Sequence, residues 1–419
     1  MIISTIALGY LGYLGWNMLK DFLSDSDSES SASTSFTRPT SYASKGSNRH
    51  SAARKSTHSR KKTSSPQTAG GWLAQCGSNG VPTGGPATVY DQNGSPLQLS
   101  AADELKSGGE GTVYRCPIHR SCVIKLFKRD IVENPEKQKA VTKRLCDMLC
   151  IETLKKNPDI AWPQMLVFDK EKRVTGFVMR TISGTPVSSL QGPKQIRKHF
   201  PDWDRKDLAL VAQDFLKKMQ LLEDNGVLVN DFNPANFIVG QDRKVRLIDC
   251  DSYQIPSSKG GLPHISKTYF ASHVAPELLL NPEKLKQPRS SEQARFGAAI
   301  IVFQLLMCGL HPYSHKFSGM PEQNLKSGKC PLGIGSGCYI PDGWYNLLSY
   351  LPYNLMNLFI RMFRDGHGTP SARPSLMELQ KQINVFLFLM NQDKRRRDLS
   401  PSASKNASSD NASQIYSVG

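Results

Sequence analysis

Gly226-Val227-Leu228-Val229-Asn230-Asp231-Phe232-Asn233-Pro234-Ala235-Asn236-Phe237-Ile238-Val239, followed by Lys244-Val245-Arg246-Leu247-Ile248-Asp249-Cys250-Asp251, decides how the chain reads. An apolar run enters a polar turn, D-F-N-P-A-N. A second apolar run follows, then a basic turn, then a third run that ends on a carboxylate. This is the pattern of short strands flanking a loop, with acids at strand ends. A hairpin between the second and third runs would fold Asp249 back beside Asn236. Two carboxylates and an amide converging there make a hard-oxygen site suited to Mg²⁺ and a bound phosphate. An ordinary hairpin with exposed acids would read the same way in isolation, so the rest of the chain must decide.

The stretch resembles the protein kinases. The family's catalytic loop, H-R-D-x-x-x-x-N, is filled here by V-N-D-F-N-P-A-N from Val229 to Asn236, and its D-F-G becomes Asp249-Cys250-Asp251. The likeness is greatest to a divergent bacterial branch of Ser/Thr kinases, whose loop reads G-D-x-N-P-x-N and whose metal motif reads D-x-D-S-[FY]. The resemblance implies an α+β, bilobal protein-kinase-like fold with a small β-rich lobe and a larger helical lobe. It runs from about Ala87 to Phe388.

Upstream, Asn93-Gly94 between two short apolar segments signals a hairpin. Next comes Leu105-Lys106-Ser107-Gly108-Gly109-Glu110-Gly111-Thr112-Val113-Tyr114, where glycines in a strand-turn-strand let backbone N–H groups approach phosphate oxygens. It is similar to the kinase Gly-rich loop, with Lys106 in place of the first glycine. Cys122-Val123-Ile124-Lys125 sits one strand later, at the spacing of the family's V-A-I-K. A lysine ending an apolar strand needs an anionic partner, and the resemblance makes the ATP phosphates that partner. It thus implies a nucleotide site of Gly108, Gly109, Gly111, Val113, Val123 and Lys125. In the family this lysine also pairs with a helix glutamate, and Glu136 is the expected candidate on a helix spanning 134–155. Strands at Ala161–Pro163 and Gly176–Arg180 would lead to an adenine-binding hinge near Thr181–Gly184.

Downstream, Asp207–Asn225 has the period of an amphipathic helix leading to the catalytic loop. The segment from Ser252 to His273 is polar and Gly-rich and is expected to be mobile. Ala275-Pro276-Glu277, His311-Pro312-Tyr313 and Arg373-Pro374 match the family's A-P-E, H-P-Y exit and R-P. The resemblance pairs Arg373 with Glu277, and has Glu292, where the family has Asp, accept backbone N–H bonds from the catalytic loop.

Composition frames these motifs. The chain has 419 residues and a net charge of +17, much of it outside the expected globular part. Nine cysteines at irregular spacing give no disulfide framework, which favours a reducing compartment. Residues 1–19 carry no charged side chain and are long enough for a membrane helix. With basic residues downstream, they suggest an N-terminal anchor holding the domain on the cytoplasmic side. Residues 20–86 form a Ser-rich basic linker, expected to be disordered and to contact an anionic membrane surface. Without interleaved aromatics, that charge does not favour nucleic acid. Residues 87–390 would be the kinase-like domain and 391–419 a disordered tail.

The resemblance assigns Asp231 to the attacking hydroxyl, Asn236 and Asp249 to the metal, and Lys125 to the phosphates, with ATP and Mg²⁺ as cofactors. Asp231, Lys125 and Asn236 are then the catalytic set. Three functions fit: a membrane-tethered Ser/Thr kinase acting on proteins, its own linker among them; a nucleotide-binding pseudokinase scaffold; or a small-molecule phosphotransferase. The first is favoured, because A-P-E, H-P-Y and R-P frame a peptide-docking lobe. Val229, Asn230, Asn233 and Asp251 depart from the family pattern. Without the Arg before Asp231, no cation there can answer a phosphorylated segment. The motifs leave oligomeric state open.

Overall fold

The computed structural model describes residues 87–317, 319–333, 339–341 and 344–399. They form an α+β structure in which a sheet region precedes a helical one. The sheet has seven strands in the order β2-β1-β6-β7-β5-β4-β3. These are β1 (Ala87–Tyr90), β2 (Pro96–Leu99), β3 (Glu104–Ser107), β4 (Gly111–Arg115), β5 (Cys122–Phe127), β6 (Pro163–Phe168) and β7 (Val174–Arg180), and every pairing is antiparallel. The Asn93-Gly94 turn forms as expected. The Asp91 carboxylate accepts from the Asn93 and Ser95 amides at 2.8 Å each, and Gly94 takes φ +80°.

Alternation along the strands sorts side chains by face. Tyr114, Ile124 and Val178 join Val89, Leu97, Leu99 and Val167 in an apolar cluster. The opposite face carries Lys125, cross-strand from Val113 and Phe177, and Val123, cross-strand from Met179. Four of the residues assigned to nucleotide therefore share the region around β4 and β5.

Helices of eight or more described residues are α1 (Pro135–Leu149), α2 (Arg205–Asp224), α3 (Ser291–Leu306), α4 (Tyr353–Ile360) and α5 (Leu376–Asn391). α1 is capped by Asn134, which accepts from Lys137 N at 3.0 Å. It ends at Leu149 rather than running to 155. There the Trp162 indole donates to the Met148 carbonyl at 2.8 Å, and Trp162 lies fully buried before strand β6 begins. The strand expected at Ala161–Pro163 thus starts only at Pro163. α2 starts on a capping box between Asp204 and Asp207 and buries Leu208, Val211, Phe215, Met219 and Leu222 as its period required.

α3 is buried on all sides from Phe296 to Leu306. It has 16 residues, so at about 1.5 Å per residue it falls short of a roughly 30 Å bilayer core. No helix among the described residues is long and apolar enough to cross a membrane. This overturns the expected membrane localisation: the apolar helical segment the structure does contain serves the core. The anchor expected at 1–19 and the linker at 20–86 lie outside the described residues.

Two further features bear on the site. A second sheet, β8 (Thr185–Pro186), β9 (Phe237–Val239) and β10 (Val245–Leu247), has the order β10-β9-β8. Strand β10 is stitched to the lead-in of β6, with Ala161 N donating to Leu247 O at 2.9 Å and Leu247 N to Asp159 O at 2.8 Å. Residues 392–399, assigned from sequence to the tail, pack back on α2: Arg205 N donates to Arg397 O at 2.9 Å, Arg397 pairs with Asp204 at 2.7 Å, and Leu399 is buried.

Candidate active site

The β9–β10 hairpin delivers the site. Phe237, Ile238 and Val239 pair in register with Leu247, Arg246 and Val245, and Ile248 N then donates to Asn236 O at 3.0 Å. The hairpin therefore brings Asp249 back beside Asn236, as the sequence pattern implied. Asn236 closes a 3₁₀ turn, Pro234–Asn236, capped by Asn233, whose side chain accepts from Ala235 N at 3.0 Å. This turn occupies the Asn233 side chain. Phe232 is buried and roots the loop against α3, where Gly297 permits the contact: a Cβ there would collide with the Phe232 ring.

Asp231 is half-buried, and its carboxylate accepts from Asn233 N at 3.2 Å. Its pKa lies above the ordinary value. Burial is the main cause, the Asn233 amide opposes it, and the charge of Asp249 adds to it. A carboxyl so tuned is a better proton acceptor than an exposed aspartate.

Lys125 is buried and reaches across from β5. Its Nζ lies 2.9 Å from Asp249 Oδ1, and 2.8 and 2.7 Å from the two oxygens of Asp251. Burial works against its charge, but Asp251 and then Asp249 outweigh that and hold its pKa above the ordinary lysine value. The two acids differ in setting. The Asp249 side chain is 43% exposed and that of Asp251 5%. Asp249 also adopts a left-handed conformation, φ 59° and ψ 38°, disfavoured for a residue with a Cβ. Ser252 holds that turn, its N and Oγ donating to Asp249 O at 3.2 and 2.8 Å. Asp249 and Asn236 supply hard oxygens of the kind Mg²⁺ takes.

The Gly-rich loop joins β3 to β4, with Gly108 N donating to Gly111 O at 2.8 Å. A Cβ at Gly111 would strike the Leu126 carbonyl, whereas one at Gly109 would meet nothing within 4 Å. Gly111 thus answers to strand packing, and Gly109 leaves the loop's approach open. Glu110 at the loop's tip was not anticipated. Its pKa is raised, first by desolvation and then by Asp251, which brings it into the electrostatic neighbourhood of Lys125.

Three expectations fail here. Glu136 does not pair with Lys125: it is exposed in the first turn of α1. The helix residue that reaches the site is Arg144, donating to Asp251 O at 2.8 Å and Ile265 O at 2.6 Å. Glu292 does not support the catalytic loop. Its carboxylate lies on the first turn of α3, 3.9 Å from Arg295. The segment after Asp251, expected to be mobile, is tied down. Ile255 and His264 bridge in both directions at 3.0 and 2.8 Å, His264 meets Asp147 of α1 at 2.6 Å, and the buried Asn230 donates to Ser266 O at 3.2 Å. Asn230, which replaces an arginine, thus holds backbone rather than charge. The hinge region is partly committed as well, with Thr181 N donating to Ser121 O at 2.8 Å.

Among the downstream motifs, the expected pair of Arg373 and Glu277 forms. Arg373 forms a bidentate pair with Glu277 at 2.9 and 2.7 Å and also donates to Gly366 O at 2.8 Å and Glu292 O at 3.2 Å. His311 Nε2 meets Ser272 O at 2.8 Å, and the Tyr313 hydroxyl donates to Phe363 O at 2.6 Å. His273 meets the Gln304 side chain at 2.8 Å.

Comparison with known proteins agrees with the resemblance. The chain is 30% identical over 229 residues to a protein of Escherichia coli O157:H7 named protein kinase YegI, covering 54% of this chain and 34% of that protein. It is also 30% identical over 198 residues to the dual specificity protein kinase shkB of Dictyostelium discoideum, covering 47% of this chain and 27% of that protein. The chain therefore spans about a third of the length of these relatives. No family model matches the sequence. Relatives named as protein kinases are what a divergent protein-kinase-like chain is expected to have.

Proposed function

From this likeness to protein kinases, we propose that the chain is an ATP- and Mg²⁺-dependent kinase that transfers phosphate to serine or threonine hydroxyls of proteins. On this reading the sheet region and the helical region are the two lobes of a kinase-like fold, and the Ser-rich segment 20–86 is one candidate substrate. The observation that carries it is the 2.9 Å ion pair between Lys125 and Asp249. It joins a lysine within the apolar strand β5 to the acid after the hairpin, 124 residues away.

Asp231 would accept or orient the proton of the attacking hydroxyl, and its raised pKa suits that task. Lys125 would hold the α- and β-phosphates, with Gly108, Gly109 and Gly111 covering them and Val113 and Val123 against the base. Asp249 and Asn236 would hold magnesium, which when bound neutralises charge on the phosphates. Asn233 contributes no cation, so charge stabilisation falls more heavily on Lys125.

The test is transfer of labelled γ-phosphate by the full chain to a generic protein substrate and to itself. Wild type should incorporate label. Asp231→Ala and Asp249→Asn should each lose at least about a hundredfold. Equal label in all three would remove these residues from the mechanism. ATP-dependent thermal stabilisation without label would leave a nucleotide-binding scaffold instead.

A further inference from the structure

The lysine of this site has two acidic partners, and only one is free to leave it. Asp249 is open and touches Lys125 through a single oxygen. Asp251 is buried and spends both oxygens on the same ammonium. A metal ligand must also face the solvent from which the ion arrives. The Asp249 side chain does, and the buried Asp251 side chain does not.

Helix α1 supplies no acid here. Its first-turn Glu136 is exposed, and its Arg144 points inward. Arg144 grips the Asp251 carbonyl and, through its other nitrogen, the Ile265 carbonyl. Relative to a helix acid paired with a strand lysine, the polarity is reversed: the cation is on the helix and the acid is on the segment that follows the hairpin. The left-handed Asp249 and the 3₁₀ turn Cys250–Ser252 make this possible by presenting two nearby acids to one ammonium.

We propose that Asp251 is the positioning residue for Lys125, fixed in turn by Arg144, and that it keeps the ammonium in place when Asp249 turns to the metal. The proposal rests on the kinase reading above. It assigns to segment 251–266 the control that a helix acid would otherwise exert. Displacing that segment would release Lys125, and tilting α1 would act through Arg144 and through the bonds of Asp147 to His264 and Ser258.

The experiment compares full-length wild type with Asp251→Asn, Asp251→Glu, Arg144→Gln and Glu136→Gln. Two quantities are read: kcat and KM for ATP in phosphate transfer, and the rate at which acetic anhydride modifies Lys125 without nucleotide, followed by mass spectrometry. Asp251→Asn should raise KM for ATP by about tenfold or more, Arg144→Gln should fall between it and wild type, and Asp251→Glu should recover part of the loss. Glu136→Gln should stay within about twofold of wild type. Lys125 should acetylate at least about fivefold faster in Asp251→Asn, because two of the three contacts that hold its amine in place are weakened. A merely structural role would lower the unfolding temperature without moving the reactivity of this one lysine.

An unchanged KM and an unchanged Lys125 reactivity in Asp251→Asn would overturn the proposal, as would a KM rise in Glu136→Gln instead. If wild type transfers no phosphate, the kinase reading fails separately. The acetylation rates then still decide: a rise in Asp251→Asn supports the pairing, and no rise refutes it.

Discussion

Replacing Glu277 by Ala should unfold this chain at a much lower temperature, and the site of damage is Arg373. The Arg373 side chain is 0% exposed. Its guanidinium lies 4.8 Å from the centre of the Phe296 ring and is satisfied by the Glu277 carboxylate and two carbonyl oxygens. Removing the carboxylate leaves a buried charge with two neutral acceptors, which costs roughly 3–5 kcal/mol. With an unfolding entropy of about 2 cal/mol/K per residue over roughly 300 folded residues, each kcal/mol is worth about 1.6 °C, so the midpoint should fall by about 5–8 °C. Differential scanning fluorimetry at neutral pH measures it. The double variant Glu277→Leu/Arg373→Met removes both charges and should recover much of the loss. The pH dependence follows from the lowered pKa of Glu277: burial pushes it up, but the Arg373 bond and charge prevail. The unfolded carboxyl titrates near about 4.3, so the contribution is full above that pH and is lost as acid is added down through the lower folded value. A fall of less than about 2 °C in the single variant would refute a buried, charge-dependent pair.

Other substitutions probe other parts. Burial pushes the His273 pKa down to about 4, although its Gln304 bond opposes the shift. Between the ordinary value of about 6.5 and that pH the unfolded chain binds the extra proton, so stability should fall as pH drops, by up to about 1.4 kcal/mol per unit. Acid titration of the unfolding free energy should therefore be flatter in His273→Asn, and an identical slope would rule this histidine out. Gly111→Ala should destabilise the sheet by about 1–3 kcal/mol, because the new Cβ meets the Leu126 carbonyl, whereas Gly109→Ala should change the midpoint little. Equal effects would contradict the packing. Leu399→Ala should cost about 2–3 kcal/mol in urea unfolding if the return of residues 392–399 onto α2 is part of the core.

Short-range pattern made much of this legible. The Asn93-Gly94 hairpin, the period of α2 and the β9–β10 hairpin each follow from residues within about twenty positions of one another. Spacing after the Gly-rich loop also put Lys125 on the following strand. Its partner could not be read that way. Asp251 is 126 residues away, and Glu136 was the nearer helix acid by analogy. What the analogy lacked was the rotation of α1. Burial of Leu145 and Met148 turns Arg144 toward Asp251 and leaves Glu136 in solvent. Polarity misled equally at 252–273. Gly260 and Gly261 suggested a loose segment, yet bonds from Arg144, Asp147 and Asn230 come from three distant places that composition cannot register.

The two backbone bonds between residues 159–161 and Leu247 constrain how this molecule can open. They splice the entrance of the seven-stranded sheet to the strand that ends at Asp249. The seven-stranded sheet and the β9–β10 hairpin therefore share a seam two residues before Asp249. On the kinase reading, any opening that admits a nucleotide must leave that seam in place, like the spine of a book, so the root of the β9–β10 hairpin moves least.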